Sequence, residues 1–238
     1  MFYLEPVPLQ KEEHRKLKLG PFKDFKFAHE TNSVQIVGIE FFEAAKEYPI
    51  VFVKLGNGSL VPCALLGLED KQNLYLDKDN EWDARYVPSY VRRYPFILTE
   101  PDAKGVQTVF IDKACDRLQD KEGDAFFNED GSEGAVLDSA KAFMLQHYGH
   151  SRMTLDFTDL LVKEELLTEM AAKFEVAGGK QFLFDHLYVI NEQKLMQLPQ
   201  KKVYDLFSKG WLGWVYAHLM SLSNMSMLVD RYVEKESA

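Results

Sequence analysis

Cysteine is nearly missing from this 238-residue chain: Cys63, within an apolar stretch, and Cys115 are the two present. A disulfide framework needs more thiols, and cysteine metal sites come in closely spaced pairs, so both read as reduced, buried small hydrophobes. Neither has a sequence neighbour that would make its thiol reactive. Long hydrophobic runs are missing too. No stretch reaches the ~18 apolar residues of a membrane-crossing helix, and the opening MFYLEPVPLQ lacks a basic region followed by an apolar core. No transmembrane segment is therefore expected, and the cytoplasm is the default location. Positive charge is in deficit: 28 lysines and arginines against 37 acidic residues leave a net charge of -9, which opposes a polyanionic partner, so nucleic acid is not expected. Glycine-rich phosphate loops, dinucleotide fingerprints, zinc-protease histidine pairs and kinase motifs are likewise missing, so nothing points to a cofactor.

What the chain does have is a globular composition, 46% hydrophobic and 13% aromatic, sufficient for one large domain or two small ones. Lysines crowd Leu9 to Phe27 (Lys11, Lys16, Lys18, Lys23, Lys26), interrupted by Glu12, Glu13 and Asp24; the run reads as a solvated face or a small anion-contacting edge. Val34 to Ile39 alternates like a strand, and EFFEAAKEY at Glu40 to Tyr48 reads as a helix ended by Pro49. Ile50 to Leu55 and Leu60 to Leu68, joined by Gly56-Asn57-Gly58-Ser59, form a hairpin pattern. Further strands are expected at Asn73 to Asp77, Phe96 to Thr99 and Val106 to Asp112.

Gln119 to Asp138 changes character, with seven acidic residues, one lysine and three glycines. A calcium loop is excluded, because aligning Gly131 with the loop's glycine puts Phe126 and Leu137 at ligand positions. A connecting loop is expected instead, with Asp130 and Glu133 spaced as a capping box for a helix over Glu133 to Tyr148. A second helix covers Met153 to Leu161. Ala171 to Val176 and Gln181 to Ile190 flank Ala177-Gly178-Gly179 as another hairpin, whose apolar second arm should be central. Helices at Glu192 to Gln197, Lys201 to Lys209 and Leu212 to Val233 are separated by Pro199 and Gly210. The expected class is α+β: a mainly antiparallel N-terminal sheet with short helices, then a helix-rich C-terminal half containing one β-hairpin. The corresponding division is a sheet-rich 1–118, an acidic loop 119–134 and a helix-rich 135–238, with one continuous domain as the alternative.

The segment Trp82 to Phe96, WDARYVPSYVRRYPF, stands apart. Pro88 suits the first position of a short helix and Tyr94-Pro95 imposes extension, so a turn of helix should lie between two extended pieces, with Tyr86, Tyr90 and Tyr94 near one face. Arg85, Arg92 and Arg93 could grip a carboxylate or phosphate in bidentate fashion. The plainer alternative has them capping strand ends, stacking on tyrosines and pairing with acids. Elsewhere, His147 and His150 have metal-pair spacing, but Gly149 between them is expected to end the helix. His218 and Ser221 sit one turn apart without a nucleophile-elbow motif.

Read in order, PLQKEEH, EFFEAAKEYPIVFVK, PCALLGLEDKQNLYLD, EWDARYVPSYVRRYPF, FNEDGSEG, FDHLYVINEQKLMQLP and WLGWVYAHLMSLSNMSML resemble the bacterial SapC family over nearly the whole chain. The resemblance implies an association with surface layers by name. It also implies a neighbourhood of TonB-dependent receptors, flavin-dependent tryptophan-halogenase-like proteins and cupin-like proteins. From it follows the expectation of an accessory or binding protein in uptake or modification of a peptide, amino acid or glycan. The partner would be a flavin-dependent halogenase-like protein, an uptake-system component or a small acidic ligand. Binding is expected to involve Arg85, Arg92 and Arg93 for an acidic group, Trp82, Tyr86 and Tyr90 for stacking, and His218. The alternatives are an enzyme using His218, Arg93 and Asp112 in a cleft, and a surface-layer component; no metal site is expected.

Overall fold

The computed structural model describes residues 2–175 and 180–237. Its strands are β1 (Pro6–Pro8), β2 (Lys18–Leu19), β3 (Ser33–Gln35), β4 (Ile50–Lys54), β5 (Leu60–Leu65), β6 (Phe96–Leu98), β7 (Val109–Asp112), β8 (Leu118–Gln119), β9 (Asp124–Ala125), β10 (Leu167–Glu175) and β11 (Gln181–Ile190). Its helices are α1 (Lys11–His14), α2 (Phe41–Ala44), α3 (Ser89–Arg92), α4 (Ala135–Lys163), α5 (Glu192–Met196), α6 (Gln200–Ser208), α7 (Trp211–Ser221) and α8 (Asn224–Glu236). The protein is α+β, with antiparallel sheets mostly N-terminal and helices mainly in the C-terminal half.

The principal sheet runs β10-β11-β4-β5-β3, and all its pairings are antiparallel. The β4–β5 hairpin closes as expected, with Gly58 at φ +87°, where a side chain would be strained. The C-terminal hairpin joins this sheet through Leu187↔Val53 and Tyr188↔Phe52, which makes β11 an interior strand and accounts for its apolar sequence. Its turn at 176–179, where Ala177-Gly178-Gly179 was expected, lies outside the described residues. A smaller sheet, β1-β7-β6, and a third, β8-β2-β9, complete the β structure.

Two hydrophobic cores result. The larger joins β4, β5 and β11 to α7 and α8, and within it Phe157 meets Phe41, Trp211 and Trp214 edge-on. The smaller gathers Phe96, Ile111, Phe126, Leu137 and Met144 beneath the β1-β7-β6 sheet. Helix α4 bridges the two, placing Leu137 and Met144 in the small core and Phe157 and Leu161 in the large one. Its middle turns, near His147, therefore cross the seam between them.

Several local expectations change. The two helices expected on either side of Gly149 are one 29-residue helix. Gly149 is exposed there and has no heavy atom within 4 Å of where a Cβ would sit, so it costs helix propensity but breaks nothing. The capping box does not form: α4 is preceded by Gly134, and the Asp130 carboxylate instead accepts hydrogen bonds from Ser132. Asn73 to Asp77 is not a strand. The Asn73 side chain is buried, accepts from the Tyr75 N–H at 2.9 Å and donates to the Ala28 carbonyl at 3.1 Å, turning the backbone away from a ladder. The expected helix Leu212 to Val233 breaks after Ser221, where Ser221 Oγ accepts from Ile50 N and Asn224 donates to the Ala45 and Tyr48 carbonyls.

Candidate ligand-binding clefts around residues 82–96

The segment is built around a buried carboxylate. Glu40, 4% exposed, accepts from Tyr86 OH at 2.6 Å, Ser89 N at 2.7 Å, Ser89 Oγ at 2.8 Å and Val37 N at 2.9 Å. It thus ties the start of α3 to the turn before α2. Trp82 fastens the segment upstream, donating from Nε1 to Tyr48 OH at 2.8 Å and packing edge-on against Phe25, while Tyr48 OH donates to the Tyr86 carbonyl. The Arg85 backbone N–H lies 2.9 and 3.0 Å from the two oxygens of the Glu47 carboxylate. The helical turn falls at Ser89–Arg92, with Pro88 preceding it rather than occupying its first position.

Tyr90 and Tyr94 both pack against Phe2 and Tyr3, whereas Tyr86 turns away to Glu40. Tyr86 opens onto a cleft of about 280 Å³ with Glu40, Arg92, Phe143, His147 and His150. Tyr90 opens onto a cleft of about 330 Å³ with Arg93, Glu100, His147 and Tyr148. Tyr94 lies on a third cleft of about 860 Å³, stacked on Phe27 at 4.0 Å; Lys23 and Lys26 of the lysine-rich run also line it.

The arginines separate likewise. Arg92 donates from Nε to the Val87 carbonyl at 3.0 Å and lies over Tyr86 and Phe143. Arg93 stacks on Tyr90, its guanidinium carbon 3.8 Å from the ring centre, and its Nε meets Tyr3 OH at 3.3 Å. Arg85 is exposed and lines none of these three clefts. Among the described residues none of the three arginines takes part in an ion pair, so pairing with the abundant acids is not what holds them.

His147 stands between the two smaller clefts and lines both. Burial, followed by the nearby positive charge of Arg93, lowers its pKa to about 4, so the ring is neutral near pH 7. Its Nε2 is buried with no hydrogen-bond partner among the described residues. His147 and His150 do face one cleft, since α4 runs through Gly149. Among the described residues, however, no group of three or more His, Cys, Asp or Glu side chains could hold a metal ion.

His218 lies elsewhere. It is fully buried on α7, its Nε2 accepts from Ile190 N at 3.0 Å, and burial lowers its pKa to about 4. Ser221 donates back to the His218 carbonyl at 2.6 Å. Asp112, also fully buried, accepts from the backbone N–H groups of Leu4, Glu5 and Ala114. The clefts' contributions from Glu40, Glu100 and Tyr148, and the Tyr3 hydroxyl that holds Arg93, carried no sequence signal: each comes from a distant segment and looks like an ordinary residue until the chain folds.

The architecture is that of an α+β protein whose cationic and aromatic clefts lie where two cores meet. The chain belongs to the SapC family, whose model matches residues 9–228. Comparison with curated proteins gave no match, and comparison with solved structures gave none. Among the described residues no helix is long and apolar enough to cross a membrane.

Proposed function

We propose that this SapC-family chain is a cytoplasmic binding protein for a small acidic ligand, serving uptake or modification of a peptide, amino acid or glycan. The observation that carries this reading is the state of Arg93. Its guanidinium lines the cleft of about 330 Å³, is held in place by Tyr90 and Tyr3, and meets no carboxylate among the described residues. A pre-positioned guanidinium with free N–H groups suits a carboxylate or phosphate, and neutral His147 adds a further hydrogen-bonding group. In this reading Tyr90 provides stacking surface, while Trp82, Tyr86 and Glu40 hold the segment in shape. Arg92 serves the neighbouring cleft, and Arg85 and His218 contribute outside it.

The test is a thermal-shift screen of small carboxylates and inorganic phosphate against the wild-type chain and Arg93→Gln. An acid held at a hundredfold its Kd should add about 2.7 kcal/mol to wild-type stability. The reading requires at least one acid to stabilise the wild type and to lose that effect in a folded Arg93→Gln variant. Stabilisation by the same acids in both proteins would contradict it.

A protein partner is the second reading, favoured by Tyr204 and Phe207 on α6 and Met220 on α7, which are 65%, 66% and 72% exposed. Large apolar side chains left in solvent fit a contact surface. A flavin-dependent halogenase-like protein or an uptake-system component would then dock there. Co-elution with such a partner should be lost on Phe207→Asp; retention would remove this surface from consideration.

A further inference from the structure

The cleft that Arg93 lines also holds a negative charge. Glu100, immediately beyond β6, lines it too, and its Oε2 accepts from Tyr148 OH of α4 at 2.8 Å. That hydrogen bond raises the Tyr148 pKa and keeps the phenol a donor, which orients the carboxylate; among the described residues Glu100 takes part in no ion pair. Arg93 and Glu100 share the cleft without forming an ion pair with each other. A simple anion drawn to Arg93 would be repelled by Glu100 in so small a space, whereas a molecule carrying both charges would satisfy both groups. The remaining wall is mixed: Leu98 of β6 with Met144 and Leu155 of α4 form an aliphatic side, and Gln35, Asn57, Ser59 and Ser151 line the cleft as well. At about 330 Å³ the cleft is at the small end of ligand pockets, which favours a free amino acid over a peptide.

We propose that the ligand of this cleft is a zwitterion of the α-amino-acid type with an apolar side chain: its carboxylate on Arg93, its ammonium on Glu100 and its side chain against Leu98, Met144 and Leu155. This rests on the acidic-ligand reading of Arg93 and narrows it. His147, neutral by burial, adds a hydrogen-bonding group without adding a second cation that would oppose the ammonium.

The test is calorimetric titration of the full chain with three probes: L-leucine, isocaproate (the same skeleton without the ammonium) and isoamylamine (without the carboxylate). Wild-type protein should bind leucine about tenfold or more tightly than either single-charge probe, the usual worth of one charge-assisted hydrogen bond. Glu100→Gln should bring leucine down to the level of isocaproate, and Arg93→Gln should abolish binding of both, with circular dichroism showing each variant folded. Isocaproate binding as tightly as leucine through Arg93, with Glu100→Gln without effect, overturns the zwitterion while leaving the acidic-ligand reading intact. No binding of leucine to the wild type overturns the zwitterion; if every acid in the thermal-shift screen also fails, the reading beneath it falls as well.

Discussion

Glu40 and Arg93 are both charged groups set against the same short segment, yet their surroundings assign them opposite roles. The carboxylate of Glu40 is saturated by four donors and 4% exposed, so its charge serves structure. Replacing it with alanine strands the Ser89 and Val37 N–H groups and the Tyr86 hydroxyl, and should cost about 3 kcal/mol or more in urea unfolding. A loss under about 1 kcal/mol would mean that water or a neighbour takes over those donors. The buried histidines give a second prediction. His218 and His147 each fall from an ordinary 6.5 to about 4 in the folded chain, because burial disfavours the imidazolium. Between those values the unfolded chain binds more protons than the folded one, so stability drops as pH falls from 6.5 towards 4. For His218 the contribution is on the order of 3 kcal/mol by the lower limit, and His218→Gln should flatten the wild-type slope measured by chemical denaturation across that window. An unchanged slope in the variant would show that His218 is not buried as a neutral ring.

At the level of elements, glycines separate positions where helix propensity decides from those where packing decides. Gly149 has open space around it on the exposed side of α4, so Gly149→Ala should stabilise the protein by about 0.5–1 kcal/mol in thermal or urea unfolding. Gly38 lies against Trp214, whose ring carbon would sit 2.3 Å from an added Cβ, so Gly38→Ala should destabilise by roughly 1–3 kcal/mol. Much of the element pattern is legible in the sequence. Periodicity and turn residues locate the β4–β5 hairpin, the C-terminal hairpin arms and the helices either side of Pro199 and Gly210. The misplaced elements trace to contacts made only on folding. Asn73 and Asn224 capture distant carbonyls and thereby turn or break the backbone, and α4 continues through glycine because cores at both of its ends support it. The segment at 82–96 is conspicuous by composition, but the directions of its side chains are not legible. They depend on how little helix forms between Pro88 and Pro95, and on Tyr3, Glu40 and α4 meeting it from elsewhere.

For the molecule as a whole, the arrangement of cores explains why the clefts lie where they do. The C-terminal hairpin extends the N-terminal sheet, and α4 crosses from one hydrophobic cluster to the other, so side chains at its middle face a seam rather than a core. His147 projects from that part of the helix, and Arg93 and Arg92 reach the seam from the opposite side. Among the described residues the guanidinium of Arg93 meets no acidic partner, is stacked on Tyr90 and lines a cleft, and the account assigns it a ligand. The most direct measurement is calorimetric titration of the strongest acid from the screen into the wild type, Arg93→Gln, Arg92→Gln and Arg85→Gln. The account predicts an affinity loss of about tenfold or more in Arg93→Gln, with near wild-type binding in the other two. Wild-type affinity in Arg93→Gln, with binding lost in Arg92→Gln or Arg85→Gln, would contradict it.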